Sequence, residues 1–105
     1  MGLYAEAGIV HGFLVKHDEI TEEFADIYGD KLIYLDCYYE DGDFIWPIAE
    51  LGPTVEWGGA VALAPFEEAF NLTYGEYDKK IKEFEELFPN RKGERPQNYL
   101  YNRLA

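Results

Sequence analysis

Between residues 19 and 30 the chain carries five carboxylates, Glu19, Glu22, Glu23, Asp26 and Asp30, and no lysine or arginine. On a helix turning about 100° per residue these five fall within a stripe roughly 100° wide. Like charges at i and i+4, here Glu19 with Glu23 and Glu22 with Asp26, cost a few tenths of a kcal/mol each, which the helix dipole returns in part to acids of the first turn. A helix serving only solubility would pair its charges. The segment 76–86 does so, with Glu76 set before Lys80 and Asp78 before Lys82 in the favoured order, and Lys79 with Glu83 and Lys82 with Glu86 in the reverse order. The contrast marks the first acidic stretch as the better candidate for a face that binds a basic surface.

A second cluster, Glu40, Asp41 and Asp43 with Asp36 nearby, surrounds an expected hairpin tip. Carboxylates two apart on a strand or four apart on a helix stand about 6 to 7 Å from one another, close to the phosphate spacing along a nucleic-acid strand. Such a surface can occupy a groove built for a polyanion. Specific metal binding is not expected. An EF-hand loop with Gly42 at its sixth position would start at Cys37, have Tyr39 third and end at Ile48, and one cysteine with two scattered histidines matches no zinc spacing. No phosphate-cradling glycine loop, metalloprotease motif or nucleophile elbow occurs, so no catalytic residue is assigned. His11 reads as a satisfied core histidine, and Cys37, in a hydrophobic stretch, as a small buried residue.

The aromatics and the C-terminal bases define an alternative of another class. Trp46 and Trp57 are candidates to stack on a flat ligand, and the loop with Arg91, Lys92 and Arg95 is the one place for a phosphate, as in a nucleotide-binding or sequestering protein.

The elements that must position these residues follow from periodicity and punctuation. Tyr4 to Lys16 alternates as a strand, with Ala5, Ala7, Ile9, His11, Phe13 and Val15 on one face. Asp18 is expected to cap a helix from Glu19 to Tyr28, its inner side Ile20, Phe24, Ile27 and Tyr28, with Gly29 closing it. Strands are expected over Lys31 to Tyr39 and Phe44 to Ile48, joined at Asp41-Gly42. Pro47 sends the second of these to an edge or ends it early. Leu51-Gly52-Pro53 reads as a turn, Thr54 to Leu63 as an interrupted strand and Pro65 to Phe70 as a helical turn. Thr73 and Glu76 form a capping box for a helix running to Phe88, where Pro89 stops it. Its apolar stripe is Tyr74, Tyr77, Ile81, Phe84 and Phe88. After a basic loop, Asn98 to Leu104 closes as a strand. The expected fold is α+β: one domain over residues 1–105, a mostly antiparallel sheet of four to five strands with two helices packed on one face.

Composition sets the remaining bounds. With 105 residues, 48% of them hydrophobic and 17% aromatic, the chain has material for one core. No apolar run spans a bilayer, the first residues lack a signal-peptide pattern and the single cysteine excludes an internal disulfide, so a cytoplasmic setting is expected. The net charge is −12, and it is uneven: residues 1 to 78 carry −15 and residues 79 to 105 carry +3. Such a body repels nucleic acid and anionic membranes and attracts basic protein surfaces. In this profile, though in no motif, the chain resembles the small inhibitors that bacteriophages and mobile elements encode against host nucleases and defence proteins. That resemblance implies a non-enzymatic module, working without cofactor in the host cytoplasm and blocking a basic, nucleic-acid-binding surface. It carries no residue across.

Overall fold

A computed structural model of the chain describes residues 5–35, 42–52, 54–56, 60, 62 and 71–104. They form an α+β domain built on a curled antiparallel sheet. The central strand β1 is Ala5–Val15. Along one side of it lie β3 (Phe44–Glu50) and then β4 (Val55–Glu56); along the other lies β5 (Gln97–Leu104). The short β2 (Ile33–Tyr34) adds to the outer side of β3.

Alternation in β1 decides the two faces. Phe13 and Val15 join Trp46 and Ile48 of β3 on one side, which two helices cover: α1 (Glu22–Tyr28) through Phe24 and Tyr28, and α2 (Tyr74–Leu87) through Tyr77, Ile81 and Phe84. Phe13 and Phe84 stack parallel with centroids 3.8 Å apart, and Phe24, Trp46, Phe84 and Phe88 continue that aromatic layer. The opposite face collects Val10, Ile33, Ile45 and Tyr101 into a second cluster edged by Leu14, Leu35 and Tyr99.

The C-terminal half follows the sequence reading closely. Thr73 Oγ1 accepts from Glu76 N–H at 3.2 Å, and Glu76 accepts from the Thr73 N–H, so both arms of the capping box form. Phe88 ends the helix and Pro89 opens a 3-10 turn, Pro89–Arg91. Tyr74, by contrast, stands exposed instead of joining the stripe.

Elsewhere the structure differs. The helix expected from Glu19 is split into a 3-10 turn, His17–Glu19, and α1, whose cap is Thr21, with its Oγ1 accepting from Phe24 N–H at 3.1 Å, and not Asp18. Ile27 is 65% exposed and points away from the core. Ile33 faces Ile45 and Tyr34 faces Phe44, so the strand expected from Lys31 begins at Ile33. Residues 36–41, which hold Asp36, Cys37, Glu40 and Asp41, lie outside the described residues, as do Trp57 and the turn expected at 65–70. Among the described residues, strand β3 is covered on its outer side by β2 at Phe44 and Ile45 only, and it does not end early: it runs on to Glu50, with Pro47 at a bulge where the β1 register shifts between His11 and Gly12. Leu51-Gly52 does not reverse the chain either: Leu51 N–H donates to Ile9 carbonyl at 2.9 Å, and β4 resumes on the same side of β1.

Gly29 supplies a prediction. Its φ of −54° is right-handed helical, the chain runs straight on into a second 3-10 turn, Gly29–Lys31, and a Cβ there meets nothing within 4 Å. Gly29→Ala is therefore expected to raise unfolding stability by about 0.4–1 kcal/mol by restricting the unfolded chain, read as a higher urea midpoint at unchanged slope.

Candidate functional site

The exterior of α1 keeps its carboxylates free. Phe24 and Tyr28 anchor the helix inward, so Glu22, Glu23, Asp26 and Ile27 face out, and none of the three acids has a hydrogen bond or ion pair to another described residue. Glu22 and Glu23 sit in the first turn, where the helix dipole favours negative charge. Asp26 does not. It lies at the C-terminal end of a seven-residue helix with no base in its last turn, and Asp30 follows in the next turn. The adjacent base, Lys31, turns away to Glu83 at 3.3 Å and over the Tyr28 ring. Glu23, Asp26, Ile27 and Asp30 thus form an acidic face around an exposed apolar side chain. Beside it, a shallow groove of about 220 Å³ runs between Glu22 and the Tyr34–Phe44 ring pair, whose centroids are 4.9 Å apart.

The other candidates have partners. Asp43 Oδ1 accepts from His17 N–H at 3.1 Å and its Oδ2 from Lys16 Nζ at 3.2 Å, so it ties the 3-10 turn to β3. Burial pushes its carboxyl up, but these hydrogen bonds outweigh that and hold it below the usual aspartate range. Glu19 accepts from its own turn's first amide, Lys16 N–H, and lies 3.5 Å from Arg91 Nη1.

Arg91 belongs to the framework. Its side chain is 15% exposed, its guanidinium covers the Phe84 ring at 5.2 Å, and its Nε donates to Glu94 at 2.7 Å in a bidentate pair. That pair raises the arginine above its ordinary pKa and holds Glu94 below its own. The spacing Arg91 to Glu94, i and i+3, is the signal that identifies this role. Lys92 and Arg95 remain exposed, and Trp46, 4% exposed, packs into the aromatic layer. Of the residues proposed for a flat anionic ligand, Arg91 and Trp46 thus both have framework contacts. A cleft of about 310 Å³ opens beside Trp46 and Pro47, rimmed by Asp30, Lys31, Lys80 and Glu83, of which Lys31 and Glu83 form an ion pair.

His11 bridges three elements. Its Nδ1 contacts Asn98 Oδ1 at 2.7 Å, so in the neutral ring Nδ1 donates and Nε2 accepts from the Tyr77 hydroxyl at 2.9 Å. Burial raises the Tyr77 phenol against the opposing pull of Arg95. This linkage fastens α2 across β1 and β5. Among the described residues no group of three or more acidic, histidine or cysteine side chains is arranged to hold a metal ion.

Fold and surface together define a small antiparallel α+β domain with an acidic exterior helix. Compared with known proteins, the chain matches no family model, no curated protein and no solved structure.

Proposed function

We propose that this domain is a non-enzymatic protein-binding module whose α1 exterior engages a basic surface on another protein. The supporting observation is the placement of Asp26 beside exposed Ile27 at the wrong end of the helix dipole, with no base in the helix's last turn and no ion pair to a described residue, and with Asp30 following in the next turn. Charge there has no folding benefit, and an apolar centre rimmed by charge is the anatomy of a docking site. The groove beside Glu22 suits the stem and head of an arginine or lysine from the partner, with two rings for its methylenes and a carboxylate for its charge. In its finer form the proposal takes the partner's surface to be one that binds nucleic acid, and the domain to act as its blocker in the cytoplasm, as a phage or mobile-element inhibitor would. The supporting feature is the phosphate-like spacing of the acids. Among the described residues no helix is long and apolar enough to cross a membrane.

Capture of partners from lysate at low salt, followed by elution in a salt gradient, tests this reading. The expected affinity falls at least about tenfold between roughly 50 and 500 mM salt. Asp26→Lys with Asp30→Lys provides the decisive variant, because bases at a helix C-terminus stabilise it by about 0.3–1 kcal/mol. Fold stability should rise while affinity drops about tenfold or more. Affinity unchanged by both salt and charge reversal would overturn the proposal.

A further inference from the structure

The outer edge of β5 has a symmetry of its own. Residues 98–102 read Asn-Tyr-Leu-Tyr-Asn, a palindrome about Leu100. Leu100 is 80% exposed, Asn98 and Asn102 are exposed, and among the described residues no strand pairs with β5 on the side away from β1.

The hydrogen-bond phase of the sheet matches that palindrome. Ile9 carbonyl accepts from Leu51 N–H, so the polar backbone groups of Ile9 face β3. By alternation those of Gly8 and Val10 face β5, where they meet Tyr101 and Tyr99. The N–H and C=O of Asn98, Leu100 and Asn102 therefore point outward, away from β1. An antiparallel copy laid against them about a two-fold axis at Leu100 sets Leu100 opposite Leu100 as a hydrogen-bonded pair. Tyr99 then faces the second copy's Tyr101, and Asn98 its Asn102, with the last two again in hydrogen-bonding phase. Contacts of i with j and j with i are what an isologous two-fold interface requires.

We propose that this edge is the interface of a symmetric dimer of the chain, in which two sheets join through β5 into one continuous sheet. Charge favours a second copy here over elsewhere. Residues 97–104 contain no carboxylate, and their single charge, Arg103, falls opposite the second copy's neutral Gln97. A chain of net charge −12 can approach its own copy at this seam without opposing acids. The pairing covers an exposed leucine, matches tyrosine with tyrosine across the strands and satisfies an edge that is otherwise a template for aggregation. A single edge ladder buries less than the roughly 1,200 Å² of a stable specific interface, so the dimer is a weak, concentration-dependent one. It is independent of the acidic face and has the opposite salt response: screening two negative bodies strengthens it.

Sedimentation equilibrium from about 10 to 500 µM tests it directly, since the dimer fraction of a weak assembly rises with concentration by mass action. The expected result is a monomer–dimer equilibrium that tightens with salt. Leu100→Lys, which sets two ammonium groups against each other on the axis, should weaken it at least about tenfold while circular dichroism shows the fold retained. Register is read by cross-linking in a Cys37→Ser background. Paired positions 100 have Cα atoms about 5.5 Å apart, within disulfide reach, so Leu100→Cys should form an intermolecular disulfide. Asn98→Cys should not, because the two copies of position 98 are offset by four residues, about 13 Å. A monomer at every concentration, a dimer indifferent to Leu100→Lys, or Asn98→Cys cross-linking as readily as Leu100→Cys would overturn the proposal.

Discussion

Phe84→Ala lowers the unfolding free energy by about 3–5 kcal/mol, the range for emptying a large aromatic site from a packed core. Phe84 is 0% exposed and sits at the centre of the aromatic layer, parallel to Phe13 and within 4.9 Å of Phe88, ring centre to ring centre. Its other side supports the Arg91 guanidinium at 5.2 Å. Truncation therefore leaves a cavity whose walls come from β1, β3, α1 and α2, and it also removes the ring beneath a half-buried cation. Collapse of that cavity is resisted on one side by the sheet, which sends the loss toward the upper end of the range. Against a total of about 5–15 kcal/mol for a domain of this kind, such a loss is a large fraction. Urea unfolding at low micromolar protein is the measurement, and a melting point lower by on the order of 15–30 °C should accompany it. Phe84→Leu, which keeps most of the volume, should cost less than half as much. A loss below about 1 kcal/mol for Phe84→Ala would contradict the placement of α2 on the sheet.

Gly12→Ala is the second large effect, and its cause is backbone against backbone. A Cβ at position 12 would lie 2.2 Å from the Trp46 carbonyl oxygen and 3.1 Å from Pro47 Cα. No side-chain rotation relieves that overlap, because both atoms belong to the bulge where β3 crosses Gly12. Either β3 moves off β1, taking Trp46 and Ile48 with it, or the bulge changes register. We expect a loss of about 3 kcal/mol, at the upper end for forced overpacking. Gly29→Ala provides the control of opposite sign, since that methyl enters open space at a helical φ. A Gly12→Ala protein within about 0.5 kcal/mol of the parent would show that the strands do not approach this closely.

How far the fold could be read from residues alone depended on the range of the interactions. The α2 segment was legible because its box, stripe and stop all lie within one turn of where they act: Thr73 with Glu76, Tyr77 with Ile81 and Phe84, and Pro89 after Phe88. Strand β1 was legible by alternation. The start of α1 was not, because Asp18 and Thr21 both have the chemistry of a cap, and the choice rests on Asp43, which reaches across from β3 to hold His17. Ile27 likewise has a core-like spacing, yet the core side of α1 is already filled by Phe24 and Tyr28 against Phe88 and Trp46. The core position of Trp46 was legible too, since with Phe44 and Ile48 it alternates onto one face of β3.

Local physics written in the residue order determined this protein's charge excess, its capped C-terminal helix, its central strand and the palindrome on its last strand, since each needs only neighbours along the chain. Tertiary structure alone decided which carboxylates stay available. Asp43 meets Lys16 across 27 positions and Glu19 comes within ion-pair reach of Arg91, whereas Glu22, Glu23 and Asp26 meet no base among the described residues. Neutralisation acts over a few ångströms in space. Distance along the chain does not report it.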